Sequence, residues 1–425
     1  MRYEVHRFAN GLTIATAPMP HMASVSVGLW VGVGGRFEPA PLNGASHFIE
    51  HMLFKGTARR SAHQISQAVE GIGGYLNAFT GEESTCFYAK ARSEHFEQLL
   101  SVIMDMFVNS LFDPGEIDKE REVIKEELAM YLDQPQHLVQ DVLNEMMWPD
   151  HPLGRPLTGT EKTLDRLGRK QLLDFRKSNY VAPAMVIAVA GNIEPGRVVR
   201  AIERMLPNIS TGKRPNFLQA DTEQKRPQVR FATKKTSQLQ LAIGIRVCSR
   251  HDERRFALRL LNTLLGENAS SRLFQVLREE HGLAYSIHSS VSHFDDVGCL
   301  TICAGLDNAD IAKALELIVR ELRRFLEEPP SPKELRQTRD YLIGQMEIAL
   351  ESTDNQMMWL GEHLLGYGKV IPAEEIKRRI YEIRASEIRK VAREFLRPER
   401  ISAALVSPLR SEPRIEKLLG RVGAG

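Results

Sequence analysis

Disulfide chemistry is the first thing this sequence lacks. Its 425 residues hold four cysteines (Cys86, Cys248, Cys299 and Cys303), too few and too scattered for a cross-linked scaffold. Cys299 and Cys303, four apart in a strand-like run, read as small buried thiols rather than a metal site. Long apolar runs are missing too: the stretch 184–190 falls far short of the roughly 20 residues that span a bilayer. No apolar signal-peptide core precedes the first strand-like residues, so a reducing cytoplasm and no membrane partner are expected. Charge of one sign is absent, since 56 Lys and Arg against 54 Asp and Glu leave +2. Nucleic acid therefore finds no electrostatic footprint. The glycines of 28–35 and 71–74 fit no phosphate-loop spacing and read as turns.

What remains is a well-mixed globular chain, 43% hydrophobic and 26% charged, long enough for two or more domains. Alternating segments 12–17 and 25–33 predict strands, followed by helices at 46–55 and 61–70. A strand pair over 75–91, helices at 93–110 and 114–132, and a buried strand at 185–190 complete the first series. The order then recurs: strand 238–247, helices 256–265 and 271–280, strand pair 285–304, helices 309–326 and 332–351. The pattern predicts an α+β chain of two similar halves, each a mostly antiparallel sheet packed with helices. The halves are placed at 1–207 and 229–425, joined by a polar, proline-bearing linker at 208–228.

The chemistry-bearing run is His47-Phe48-Ile49-Glu50-His51. Residues four apart share a helix face, so both imidazoles can point at one ion, with Glu50 about 60° to one side. Phe48, Ile49, Met52 and Leu53 take the opposite, apolar side. This is the inverted zinc-peptidase pattern, HxxEH. With 13 histidines and 54 acidic residues in 425 positions, it arises by chance about once in twenty such chains. A catalytic zinc takes three protein ligands and leaves a position for water. The helix at 114–132 offers candidates for the third ligand. Glu120 and Glu127 border its apolar stripe, whereas Glu122 and Glu126 suit a solvated face. A carboxylate on that border is costly to bury without a partner, and a metal would supply one.

At these residues the chain resembles the pitrilysin family of metallopeptidases, in particular the mitochondrial processing peptidase branch and its short bacterial members. That family follows HxxEH by a glutamate ligand about 76 residues on, and Glu127 stands 76 residues after His51. The stretches 44–57, 73–80 and 120–127 look alike as well. The resemblance extends over essentially the whole chain and implies a tandem of two α+β halves. It implies one Zn2+ per chain, on His47, His51 and Glu127, and a zinc endopeptidase acting on extended or unfolded peptides. Glu50 would take the water's proton, and Glu120 would orient a ligand.

The second half has no HxxEH, and Gln345 stands where Glu127 would recur. It does carry Arg278 and Tyr285, seven apart, which the resemblance makes substrate-holding and carbonyl-polarising residues. Without it they read as a solvated charge and a half-buried strand residue. The resemblance also implies that Asn77 and Ala78 lie on an edge strand that pairs with substrate main chain. A homodimer enclosing the peptide would follow, with Arg278 and Tyr285 reaching the partner's metal. The rival expectation is a non-catalytic or heterodimeric partner subunit of a processing-peptidase-like complex.

Overall fold

The computed structural model describes residues 2–205, 209–221, 223–412 and 414–423. They form two compact units, one of 1–129, 155–218 and 347–372, the other of 130–154, 219–346 and 373–425. Residues 208 and 222 of the expected linker lie outside the described residues; its other residues up to Pro227 carry no helix or strand. Among the described residues no helix is long and apolar enough to cross a membrane.

The first unit contains β1 (Glu4–Arg7), β2 (Thr13–Pro18), β3 (Ser24–Val31), β4 (Tyr75–Thr80), β5 (Thr85–Arg92) and β6 (Met185–Gly191). They form one sheet in the order β1-β2-β6-β3-β5-β4, in which only the β2–β6 pair is parallel. In the second unit, β7 (Gln228–Thr233), β8 (Leu239–Val247), β9 (Ala284–His293), β10 (Gly298–Leu306) and β11 (Ile401–Ser407) run β7-β11-β8-β10-β9. There the β7–β11 pair alone is parallel. Strand for strand and sense for sense, the second sheet repeats β2-β6-β3-β5-β4. The sequence recurrence is therefore a true duplication of fold.

The helices follow from strand burial on both faces. On one face of the first sheet Ile14, Val27, Leu29 and Ile187 pack under α1 (Ala45–Leu53), α2 (Ala62–Glu70), α3 (Phe96–Asn109) and α4 (Pro114–Asp133). The opposite face is built of small residues, Ala15, Ala17, Ala188 and Ala190, around Trp30. The helix Thr353–Tyr367, from late in the sequence, covers it with Met357, Leu360 and Leu364. The second sheet is treated reciprocally. Its face of Ala242, Cys299, Ala404 and Val406 receives Val139, Leu143, Met146 and Met147 of α5 (Pro135–Met147), from early in the sequence. Each unit thus keeps a helix from the other half of the chain, and the compact units differ from the expected spans 1–207 and 229–425. Neither exchanged helix was among the expected elements. Its partner surface is a face of alanines that periodicity does not single out as a docking surface.

This packing is close. A Cβ added at Gly361 would lie 2.2 Å from the Trp30 ring, and one at Gly28 would lie 2.2 Å from the Met357 sulfur. Gly361→Ala is expected to lower the free energy of unfolding by about 1–3 kcal/mol through overpacking. Gly344→Ala, at a helical site with nothing within 4 Å of the new methyl, should instead gain about 0.5–1 kcal/mol. Urea denaturation of both variants measures the opposite signs.

Candidate metal centre

The helix that carries the histidines begins at a tight approach. Gly44 has φ +95, and a Cβ there would lie 2.8 Å from the Thr158 carbonyl oxygen, so glycine suits both the conformation and the space. A helix N-terminus presents amide donors with no intrahelical partner. Here the buried Glu38 carboxylate takes two of them, accepting from Gly44 N at 2.7 Å and Ser46 N at 2.6 Å. Burial is the largest effect on Glu38 and raises its carboxyl to about 6 despite these donors. With that end fixed, α1 buries Phe48, Ile49, Met52 and Leu53 in the core. His47, Glu50 and His51 are left on its other side.

The second contributor is α4. Ile117, Ile124 and Leu128 anchor it to the same core. That registry brings Glu127 against the imidazoles: its Oε2 lies 3.7 Å from His47 Nε2 and 3.6 Å from His51 Nε2. The three ligand atoms lie within 4.8 Å of one another, and among the described residues no other group of three or more His, Cys, Asp or Glu converges in this way. The separations are too long for hydrogen bonds. They are close to the edge, about 3.3 Å, of a tetrahedron with bonds of about 2.0 Å, as zinc forms with nitrogen and oxygen. Two imidazoles and one carboxylate are also the donor set of catalytic zinc sites, so the residues present fit the ion.

Protonation favours the same reading. Burial, with a further contribution from His51, lowers His47 to about 4, so its ring is neutral near pH 7 and keeps a lone pair for a metal. Its Nδ1 is buried and finds no hydrogen-bond partner among the described residues. His51 is held differently, with Nδ1 3.0 Å from Glu120 Oε2, which fixes Nε2 as the nitrogen facing Glu127. Glu120 is only 4% exposed, and its other oxygen sits 2.6 Å from Lys55 Nζ. Glu50 accepts from Thr80 Oγ1 at 2.5 Å. Burial raises the Glu50 carboxyl above the usual glutamate range, partly offset by that hydrogen bond and by His51.

The other candidates separate into two groups. Asn77 and Ala78 lie on β4, an edge strand paired on one side with β5, and Thr80 at its end touches Glu50. Asn77 Oδ1 accepts from Ala78 N at 2.8 Å, so the side chain occupies one of the strand's own donors. Arg278 and Tyr285 belong to the second unit. Arg278 lies with its guanidinium 5.1 Å from the Phe274 ring centre. Tyr285 is on β9, the edge strand equivalent to β4. The register passes from Gly305–Ser286 to Leu306–Ala284, so Tyr285 is the extra residue of a β-bulge and is 74% exposed. A bulge re-aims a side chain away from the ladder, and an exposed phenol is free to meet a ligand. Sequence reasoning did not anticipate Thr80, Lys55 or Glu38. Lys55 had a signal, standing one helical turn after His51; Glu38 had none.

Comparison with known proteins supplies the family. Residues 13–161 match "Insulinase (Peptidase family M16)" and residues 166–342 match "Peptidase M16 inactive domain". An uncharacterized zinc protease of Bacillus subtilis is 36% identical over 410 residues, covering 95% of this chain and 98% of its own. One from Streptomyces coelicolor is 35% identical over 408 residues, covering 95% and 89%. A crystallised protease from Helicobacter pylori shares the fold with a TM-score of 0.89 at 19% identity, over 96% of this chain and 99% of that one. Identity above 30% along nearly the full length, with the HxxEH helix and its distant glutamate brought together, places the chain: it belongs to the insulinase family of zinc proteases, peptidase family M16.

Proposed function

We propose that this protein is a zinc-dependent endopeptidase that cuts extended or unfolded peptides, with one zinc per chain on His47, His51 and Glu127. The reading rests on one observation, the convergence of those three ligand atoms beside the raised carboxyl of Glu50. A zinc ion held there supplies Lewis acidity, polarising a carbonyl and lowering the pKa of bound water from about 15.7 towards roughly 7. Glu50 takes the proton from the attacking water as oxygen adds to the carbonyl carbon. It then gives that proton to the nitrogen as the C–N bond breaks, a role worth about 10²–10⁴-fold. Burial suits Glu50 to this exchange because it narrows the gap between its pKa and neutral pH. Thr80 aims the carboxylate, and Glu120 keeps His51 oriented.

Substrate binding draws on β4. Strand addition gives affinity through main-chain hydrogen bonds and tolerates many sequences, which suits extended peptides. Asn77 would release the Ala78 amide as a substrate carbonyl replaces it. Tyr285 would donate to the developing oxyanion, an interaction whose loss costs about 10²–10³ in rate. Arg278 would hold the substrate main chain. In this reading the molecule works as a homodimer, with Arg278 and Tyr285 serving the partner's metal.

Three outcomes test the proposal. Digestion of a mixed peptide library should stop with chelator and fall by about 10²–10⁴-fold in Glu50→Gln; cleavage that survives both ends the reading. Thr80→Val removes a hydrogen bond that favours ionised Glu50, so the acidic limb of kcat/KM should move to higher pH. An unmoved limb would detach Thr80 from the base. Mixing Glu50→Gln with Tyr285→Phe chains should restore activity if each site is shared between subunits, whereas sites built within one chain would stay inactive.

A further inference from the structure

The site as described makes no use of Lys55, yet its geometry is specific. It stands one helical turn beyond His51, just after α1 ends, and its side chain is 31% exposed. The backbone on either side is held. Lys55 N donates to Met52 O at 3.2 Å, and Ser110 Oγ donates to the same carbonyl at 3.0 Å. Beyond it, Gly56 takes φ +109 and Thr57 is fixed to Asp105 through its Oγ1 at 2.8 Å. Asp105 also holds Arg60 at 2.5 Å. The lysine therefore leaves a turn tied to α3, and its ammonium meets Glu120 Oε1 at 2.6 Å.

Glu120 has two oxygens and two tasks. With Oε1 occupied by the ammonium, Oε2 faces His51 Nδ1 at 3.0 Å as an acceptor. Nδ1 then carries the ring proton, and the lone pair is on Nε2, the nitrogen 3.6 Å from Glu127. We infer that Lys55 is a positioning residue of the metal centre: acting through Glu120, it sets the tautomer and aim of His51 and so raises affinity for the metal. The inference rests on the zinc reading above and adds a third layer, lysine to glutamate to histidine, to it. A carboxylate this buried has little water to replace the missing donor, so loss of Lys55 would let it turn or leave an uncompensated charge beside the ligand.

The test is zinc affinity, measured by chelator competition on the full chain, with thermal unfolding of the metal-free protein as the control for folding. Loss of a partner in the shell around a metal ligand costs about 10–100-fold in affinity, and Lys55→Met should fall in that range. Lys55→Arg, which still donates to Oε1, should recover most of it. The deciding measurement is a double-mutant cycle: in a Glu120→Gln background Lys55→Met should cost almost nothing further, because its route to His51 is already cut. Wild-type affinity in Lys55→Met, or an equal loss with and without Glu120, would overturn the inference while leaving the zinc site standing. Failure of the unmodified chain to bind zinc would instead remove the proposed function itself.

Discussion

The arrangement depends on one carboxylate of α4, that of Glu127, facing two imidazoles of α1 across a gap too wide for hydrogen bonds. Glu127 Oε2 stands at 3.6–3.7 Å from two ring nitrogens, and one of those rings is held neutral by burial. Three donors with lone pairs directed at one point satisfy one another poorly and a cation well. Much else in the first unit serves that convergence. Glu38 closes the start of α1, Gly44 allows its approach to the Thr158 carbonyl, and Ile117, Ile124 and Leu128 set the rotation of α4.

Of the glutamates on and beside this helix pair, Glu38, Glu50, Glu120 and Glu127 are set apart by their surroundings. Glu38 caps backbone amides and is raised by burial. Glu50, also raised, sits beside a hydroxyl where proton transfer is possible. Glu120 is enclosed between an ammonium and an imidazole, whereas Glu127 faces two ring nitrogens at more than hydrogen-bond distance. In the proposed function, position on the helix rather than residue type separates base, positioning group and ligand.

Duplication gave the second half the same fold without the HxxEH motif. Its sheet repeats the order and sense of the first, but its helix Arg255–Asn262 carries no histidine and Gln345 stands where Glu127 would recur. The two equivalent edge strands, β4 and β9, differ in register. In β4 the register with β5 stays regular, while β9 carries a bulge at Tyr285, whose side chain is exposed.

The sequence by itself determined the local elements and the helix face of the metal motif. HxxEH on an amphipathic stretch needs only the 3.6-residue period to align His47 with His51. The same period narrowed the third ligand to Glu120 or Glu127, and resemblance to a known family selected Glu127; the duplicated order of strands and helices was also readable. Tertiary structure alone decided the rest. Two carboxylates two turns apart on one flank look alike in sequence; only the registry of α4 against α1 gives one to Lys55 and His51 and the other to both imidazoles. The exchange of α5 and Thr353–Tyr367 between units was likewise hidden. It depends on complementary surfaces, alanine and glycine against a tryptophan or methionine, and periodicity records which face is apolar but not which distant face it fits.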